Sequence, residues 1–324
     1  MERNFHELNP ANPEFSDHAG QIGVLLETEV PPGIISGEAV QLAAGLLDKT
    51  FQEHGDPASE SYKPYHNVQH ELNVLRRSWR LWRLLQEKLP DKFDDYGYEL
   101  LMFAACGHDI FVDNESPPGE DERKSGEYTR NYMIEGGYSE ADADIVYEMI
   151  EATAVERDAT GTIVQFNIRQ GSKYPGKLVV ATADTNGIPM EGIPTMIDDG
   201  FNLWMEFSKT SVMGLLSDPK GAVGFMLTQA KYLEDRLDCM DKDLAYYFTD
   251  KEVSIIKEVF ENEFTGATRD ALGAARMLAR FPNLAEVAIE TSVKTKEKAT
   301  GSSRDALESV KGRLAHLLSR TKSK

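Results

Sequence analysis

The sequence predicts an all-α fold with additional helices at its C-terminal end. Three observations carry that expectation. Apolar residues recur at three- and four-residue steps along most of the chain, strand-like alternation is confined to one short segment, and an apolar content of 41% over 324 residues can fill a sizeable core. The first thirty-odd residues hold Pro10, Pro13, Pro31, Pro32 and Gly33 with little periodicity, so residues 1–36 read as an extended N-terminal arm. From Gly37, residues Ala39, Val40, Leu42, Ala43, Leu46, Leu47 and Phe51 follow helical steps, and Gly55 is placed to end that helix. A polar loop with Pro57 and Pro64 leads into a long helix from His66 to Leu89, stopped by Pro90.

Further helices are expected over 97–110, 123–135, 139–155, 176–186, 191–214, 220–239, 250–262 and 267–278. The segment TIVQFNI at 162–168 reads as a short strand or hairpin arm. No internal repeat is evident at solenoid periods. The chain divides into the arm, a main domain over 37–240, a helical extension over 241–290 and a basic tail helix over 291–324.

The formal net charge is −19, from 54 acids against 35 bases. Such a body repels the backbone of a long nucleic acid, so that class of partner is not expected. The charge is segregated: residues 291–324 hold nine Lys or Arg and three acids, net +6, leaving −25 on the preceding 290. Arg304 to Ser319 can form an amphipathic helix through Ala306, Val310, Leu314 and Leu317, able to pack on the acidic body or to bind another acidic surface, membrane phosphates or a neighbouring subunit. A homo-oligomer formed through the C-terminal helices is therefore one expectation. Cys106 and Cys239 are too few for a disulfide framework, and Cys106 lies in an apolar run where it reads as packing. No run approaches the roughly 20 apolar residues that cross a bilayer, and the N-terminus lacks the basic and apolar stretches of an export signal. A cytoplasmic protein without membrane insertion is expected.

Three short stretches carry the chemistry. In Tyr65-His66-Asn67-Val68-Gln69-His70 the two histidines stand four residues apart, one above the other on a helix face. Alone, the pair reads as readily as an N-cap or a satisfied core imidazole as it does as a ligand. The apolar run LLMFAACGHDI at 100–110 delivers His108 and Asp109 together to the interior. In KLVVATADTN at 177–186 a single acid, Asp184, ends a buried segment, and a lone buried carboxylate demands compensation. One divalent cation held by His70, His108, Asp109 and Asp184 would satisfy two imidazoles and two carboxylates together, a mixed N/O set suited to Mn, Fe, Zn or Ni.

The ordered set of YHNxxH, an HD pair and a solitary Asp resembles the HD superfamily of metal-dependent phosphohydrolases. The opening YHNxxH is similar to the version in cyclic-nucleotide phosphodiesterases and in small bacterial HD hydrolases. The resemblance covers roughly residues 38–240 and is far more specific than a lone HD dipeptide. It implies an HD-domain helical bundle with a divalent metal ion (Mn, Fe, Zn, Ni or Mg) on His70, His108, Asp109 and Asp184. It further implies that His66 protonates the leaving oxygen while Asp109 also orients the attacking water. The implied activity is hydrolysis of a small phosphate ester such as a nucleotide or cyclic nucleotide. A non-catalytic HD scaffold that binds a nucleotide or a protein partner is the alternative.

The sequence departs from related patterns in two places. Members with further histidines after the HD pair would show them near 151–158, where this chain reads EATAVERD, with Glu156 or Asp158 instead; this disfavours a di-iron oxygenase. The loop VDNESPPGEDER at 112–123 is unusually acidic and suits a solvated lid, while Glu122 and Glu127 lie where relatives often place a carboxylate near the water. Arg77, and Arg236 with Gln229 and Tyr232 on one helix face, are candidate phosphate clamps whose alternative role is a surface ion pair. Phe201, Trp204, Met205, Phe207, Val212, Met213 and Leu215 read as core at helical spacing, with a base-binding pocket as the alternative.

Overall fold

The computed structural model describes residues 17–56, 59–157, 163–186, 188–210, 218–280 and 287–289. The basic tail, Asp158, and Val212, Met213 and Leu215 lie outside the described residues. The described chain is all-α apart from one two-residue hairpin. Its helices are α1 (His18–Glu29), α2 (Gly37–Thr50), α3 (Val68–Lys88), α4 (Tyr96–Gly107), α5 (Glu120–Glu135), α6 (Glu140–Glu151), α7 (Gly176–Ala181), α8 (Ile193–Phe207), α9 (Pro219–Tyr247), α10 (Asp250–Phe260) and α11 (Gly266–Arg280). Wider π-type turns over Phe51–Gly55, Thr182–Asn186 and Glu261–Thr265 follow α2, α7 and α10.

Side-chain caps set several helix starts. The Ser36 hydroxyl accepts from the Ala39 N–H, Ser139 from Asp142, and Thr249 with Glu252 closes a reciprocal capping box. Asn67 caps α3 by accepting from the N–H groups of Gln69 and His70. His66 therefore precedes the helix rather than standing on its face, which corrects the expected start at that residue. The N-terminal segment also differs from the extended arm expected over 1–36. Asp17 caps α1, and Ile22 and Leu25 enter the core, because the prolines flank this apolar segment instead of interrupting it.

α4 is the central element, buried at almost every residue, as its apolar run requires. α3 packs against it and buries both expected stripes: Val68, Leu72, Leu75, Trp79 and Trp82 on one side, Val74 and Leu81 on the other. The Trp79 and Trp82 indole N–H groups donate to the carbonyls of Tyr98 and Asp94 at 2.8 and 2.9 Å. Gly97 makes this fit possible, since a Cβ there would lie 1.9 Å from the Trp82 ring. Cys106 is wholly buried in this core, and burial pushes its thiol well above the usual range.

The segment after α6 makes the expected hairpin, pairing Glu156 with Val164 and Arg157 with Ile163 in antiparallel register. α9 runs to Tyr247, past residue 240, so its far end joins the main core through Met240, Leu244 and Tyr247. Its near end shares a smaller core with α8 and α11 through Phe201, Trp204, Met205, Met226 and Leu278.

Candidate metal centre

Four side chains from three distant stretches meet beside α3. His70 comes from the first turn of α3, His108 and Asp109 from the turn that ends α4, and Asp184 from the π-type turn after α7. One ligand atom from each lies within 4.8 Å of all the others. His70 Nε2 is 3.0 Å from Asp184 Oδ1 and 3.4 Å from Asp109 Oδ2; His108 Nε2 is 3.1 Å from Asp109 Oδ2 and 3.5 Å from Asp184 Oδ1. The two Nε2 atoms face each other at 3.4 Å. Bonds of about 2.1 Å to a shared ion place ligand atoms roughly 3 to 4 Å apart, the observed spacing.

The surroundings fit the same ion. A carbonyl oxygen can only accept, so His108 Nδ1–H donates to Ala105 at 2.9 Å and turns the Nε2 lone pair inward, the usual support of a metal-binding imidazole. Asp109 Oδ2 is buried and has no hydrogen-bond partner, although both imidazoles flank it. These four residues can hold a metal ion.

Their protonation is interlocked. At His108, burial disfavours charge, but Asp109 and Asp184 outweigh it and hold the imidazole well above its ordinary pKa. At His70 burial prevails and lowers it. Both aspartates stay below the usual carboxylate range despite burial, because His108 and its neighbours favour their charged forms. Glu71 on α3 is fully buried, accepts from Thr50 at 2.8 Å, and is pushed well up by burial.

His66 stands beside this group, its ring centroid 5.8 Å from that of His70, with Tyr65 packed edge-on to His66 and tilted against His70. Glu206 near the end of α8 clamps the turn. Its Oε1 lies 2.7 Å from His66 Nδ1, while Oε2 accepts the backbone N–H groups of Tyr65 and His66, each at 3.2 Å. Burial opposes charge on His66, but Glu206, with Asp109 and Asp184 beyond it, raises its pKa to about 9. Glu206 is held at about 2 by His66, against the opposing effect of burial. The pair is an imidazolium–carboxylate couple.

The two acidic candidates separate. Burial, then the charges of Asp109 and Asp184, raise Glu122 to about 7, which places it in the field of the centre. Glu127 instead faces solvent and pairs with Arg123 at 2.5 Å, one α-helical turn away, so it is not part of the site. The arginines are also redirected. Arg77 is buried, donating to Glu191 at 2.8 Å and to the Ala183 carbonyl at 3.3 Å, where it braces the turn bearing Asp184. Arg236 is buried against Asp243 at 2.9 Å. Both are internal braces rather than surface pairs.

A solvent-open cleft of about 520 Å³ adjoins the centre across Tyr65 and Thr185. Apolar side chains of Met196, Leu203, Met226 and Leu233 line it, with Asp199, Gln229 and Tyr232 supplying polar groups and no basic residue on its walls among the described residues. Trp204 and Met205 pack into the smaller core, as their spacing predicts, whereas Phe207 is 52% exposed. No protein-family model matches this sequence, and no curated protein matches it.

One residue that touches the site escaped the sequence reading. Glu206 is the lone acid in the apolar stretch FNLWMEF that ends α8, the same signal that marked Asp184.

Proposed function

We propose that this chain is a metal-dependent hydrolase of a small phosphate ester, with His66 as general acid. The observation that carries this reading is a carboxylate-clamped imidazolium placed ring to ring with a four-residue group suited to a metal ion. His70, His108, Asp109 and Asp184 would hold a divalent cation of the Mn, Fe, Zn, Ni or Mg class, which when bound would supply hydroxide near neutral pH and draw electron density from the phosphoryl oxygens.

The chain's own residues do the rest. Glu206 accepts Nδ1–H of His66, leaving Nε2–H as the proton for the departing oxygen. A pKa of about 9 keeps that proton in place at neutral pH, and the more basic leaving alkoxide takes it as the ester bond breaks. Arg77 fixes the turn behind Asp184. The organic part of the ester fits the apolar cleft beyond Tyr65, which suits a substrate with one phosphoryl group and an uncharged remainder, such as a nucleotide or cyclic nucleotide.

Elemental analysis of the purified protein, combined with turnover of nucleotides and aryl phosphate mono- and diesters in each of the five metals, tests the proposal. Stoichiometric metal that is lost in His108→Ala, with metal kept but turnover reduced about 10²- to 10⁴-fold in His66→Ala, is expected. A metal-free wild type, or unchanged metal content in His108→Ala, defeats it.

A further inference from the structure

The cleft beside the centre runs between two helix faces. α8 turns Met196, Asp199 and Leu203 towards it at steps of three and four residues, and α9 answers with Met226, Gln229 and Leu233 at the same steps. Tyr65 and Thr185 join the cleft to the centre: the Tyr65 ring lies 4.5 Å from that of His70, and Thr185 follows Asp184 in the chain. Among the described residues Asp199 is the one charged side chain on these walls. A carboxylate on an otherwise apolar helix face needs a partner to hold it there.

Arg77 supplies that partner from inside the protein. Its Nη2 lies 3.8 Å from Asp199 Oδ2, and its Nε lies 2.8 Å from Glu191 Oε1, so one guanidinium is shared between two carboxylates. The Asp199 side chain is 18% exposed and lines the cleft; that of Arg77 is 2% exposed and does not. A ligand in the cleft therefore meets the carboxylate, while the guanidinium that could have drawn in an anion stays covered. Resting on the hydrolase reading above, we infer that Asp199 is a specificity-determining residue. Its carboxylate makes the cleft a charge filter that admits a phosphate ester with a neutral remainder and turns away one whose remainder carries a second phosphoryl or a carboxylate group. Two like charges about 7 Å apart in a half-solvated cleft repel strongly enough to cost at least about tenfold in binding. Asp199 also accepts a hydrogen bond from a hydroxyl or amino group on a neutral remainder, which an anionic remainder cannot exploit.

The test compares wild type, Asp199→Asn and Gln229→Glu, each loaded with Mn, on two matched pairs of monoesters. Adenosine 5′-phosphate is set against adenosine 3′,5′-bisphosphate, and 4-(hydroxymethyl)phenyl phosphate against 4-carboxyphenyl phosphate. The quantity read is the ratio of kcat/KM within a pair, so a general loss of activity cancels. Wild type should favour the neutral remainder. Asp199→Asn should narrow that preference about tenfold, and Gln229→Glu, which adds a carboxylate to the facing wall, should widen it by a similar factor. A wild type without preference, or a ratio unchanged in Asp199→Asn, overturns the inference. Should Asp199→Asn lose its metal or melt several degrees lower, Gln229→Glu decides, and an unchanged ratio there overturns the inference as well. In each of these cases the hydrolase reading stands, because the wild type holds metal and turns over. A wild type that holds no metal or turns over neither pair defeats the hydrolase reading, and this inference falls with it.

Discussion

The two halves of the site are built differently. The candidate cation-binding half is anchored on packed helices and the turns that end them: the first turn of α3, the end of almost wholly buried α4, and the turn after α7 that Arg77 braces behind Asp184. The proposed proton-donating half is set by a turn. His66 precedes the cap of α3, and Glu206 reaches both Tyr65 and His66 from near the end of α8. Side chains on packed helices hold their positions through many contacts, whereas those on turns depend on a few hydrogen bonds. The first half should therefore fail through loss of its ion, and the second through loss of protonation with the fold and ion intact.

The largest effect expected on this comparison is that of Asp184→Asn. It removes one of two carboxylates, and metal content by elemental analysis should fall with turnover. Retained stoichiometric metal would break the division between the halves. Glu206→Gln comes next. His66 should drop from about 9 towards its ordinary value near 6.5, so its protonated fraction at pH 8 falls from about 0.9 to about 0.03, a loss of about 30-fold in kcat/KM. The alkaline limb of the pH–rate profile should move to lower pH while metal content stays constant; an unmoved limb would show that Glu206 does not govern His66.

The metal half has its own pH signature. His108 titrates well above its ordinary value when only Asp109 and Asp184 act on it, and a cation must displace that proton. Affinity for Mn should thus weaken as pH falls, by up to about tenfold per pH unit for one proton, and calorimetry in two buffers should reveal proton release on binding. Affinity independent of pH would mean that His108 is already neutral. The smallest contrast lies on α5: Glu122→Gln should flatten any titration of activity near pH 7, whereas Glu127→Ala should leave both turnover and melting temperature unchanged.

How much of this was legible in the sequence divides along the same line. His70, His108, Asp109 and Asp184 stood out because polar ligands in apolar runs advertise a buried need, and the helix periods around them were regular. Glu206 gave an equal signal, but the aromatic and methionine spacing around it read as core and no spacing rule linked it to His66, 140 residues away. The start of α3 was misplaced by two residues for a local reason: Asn67 competes for the first N–H groups and ends up as a cap rather than a helical residue.

Two of the three widened turns, at 51–55 and 182–186, carry His54 and Asp184. A helix advances about 100° per residue, so one residue more or fewer in such a turn swings whatever it carries away from its target. Length, before chemistry, is what these segments must conserve. Removing a single residue from 182–186 would unlatch the centre even if every named side chain were retained.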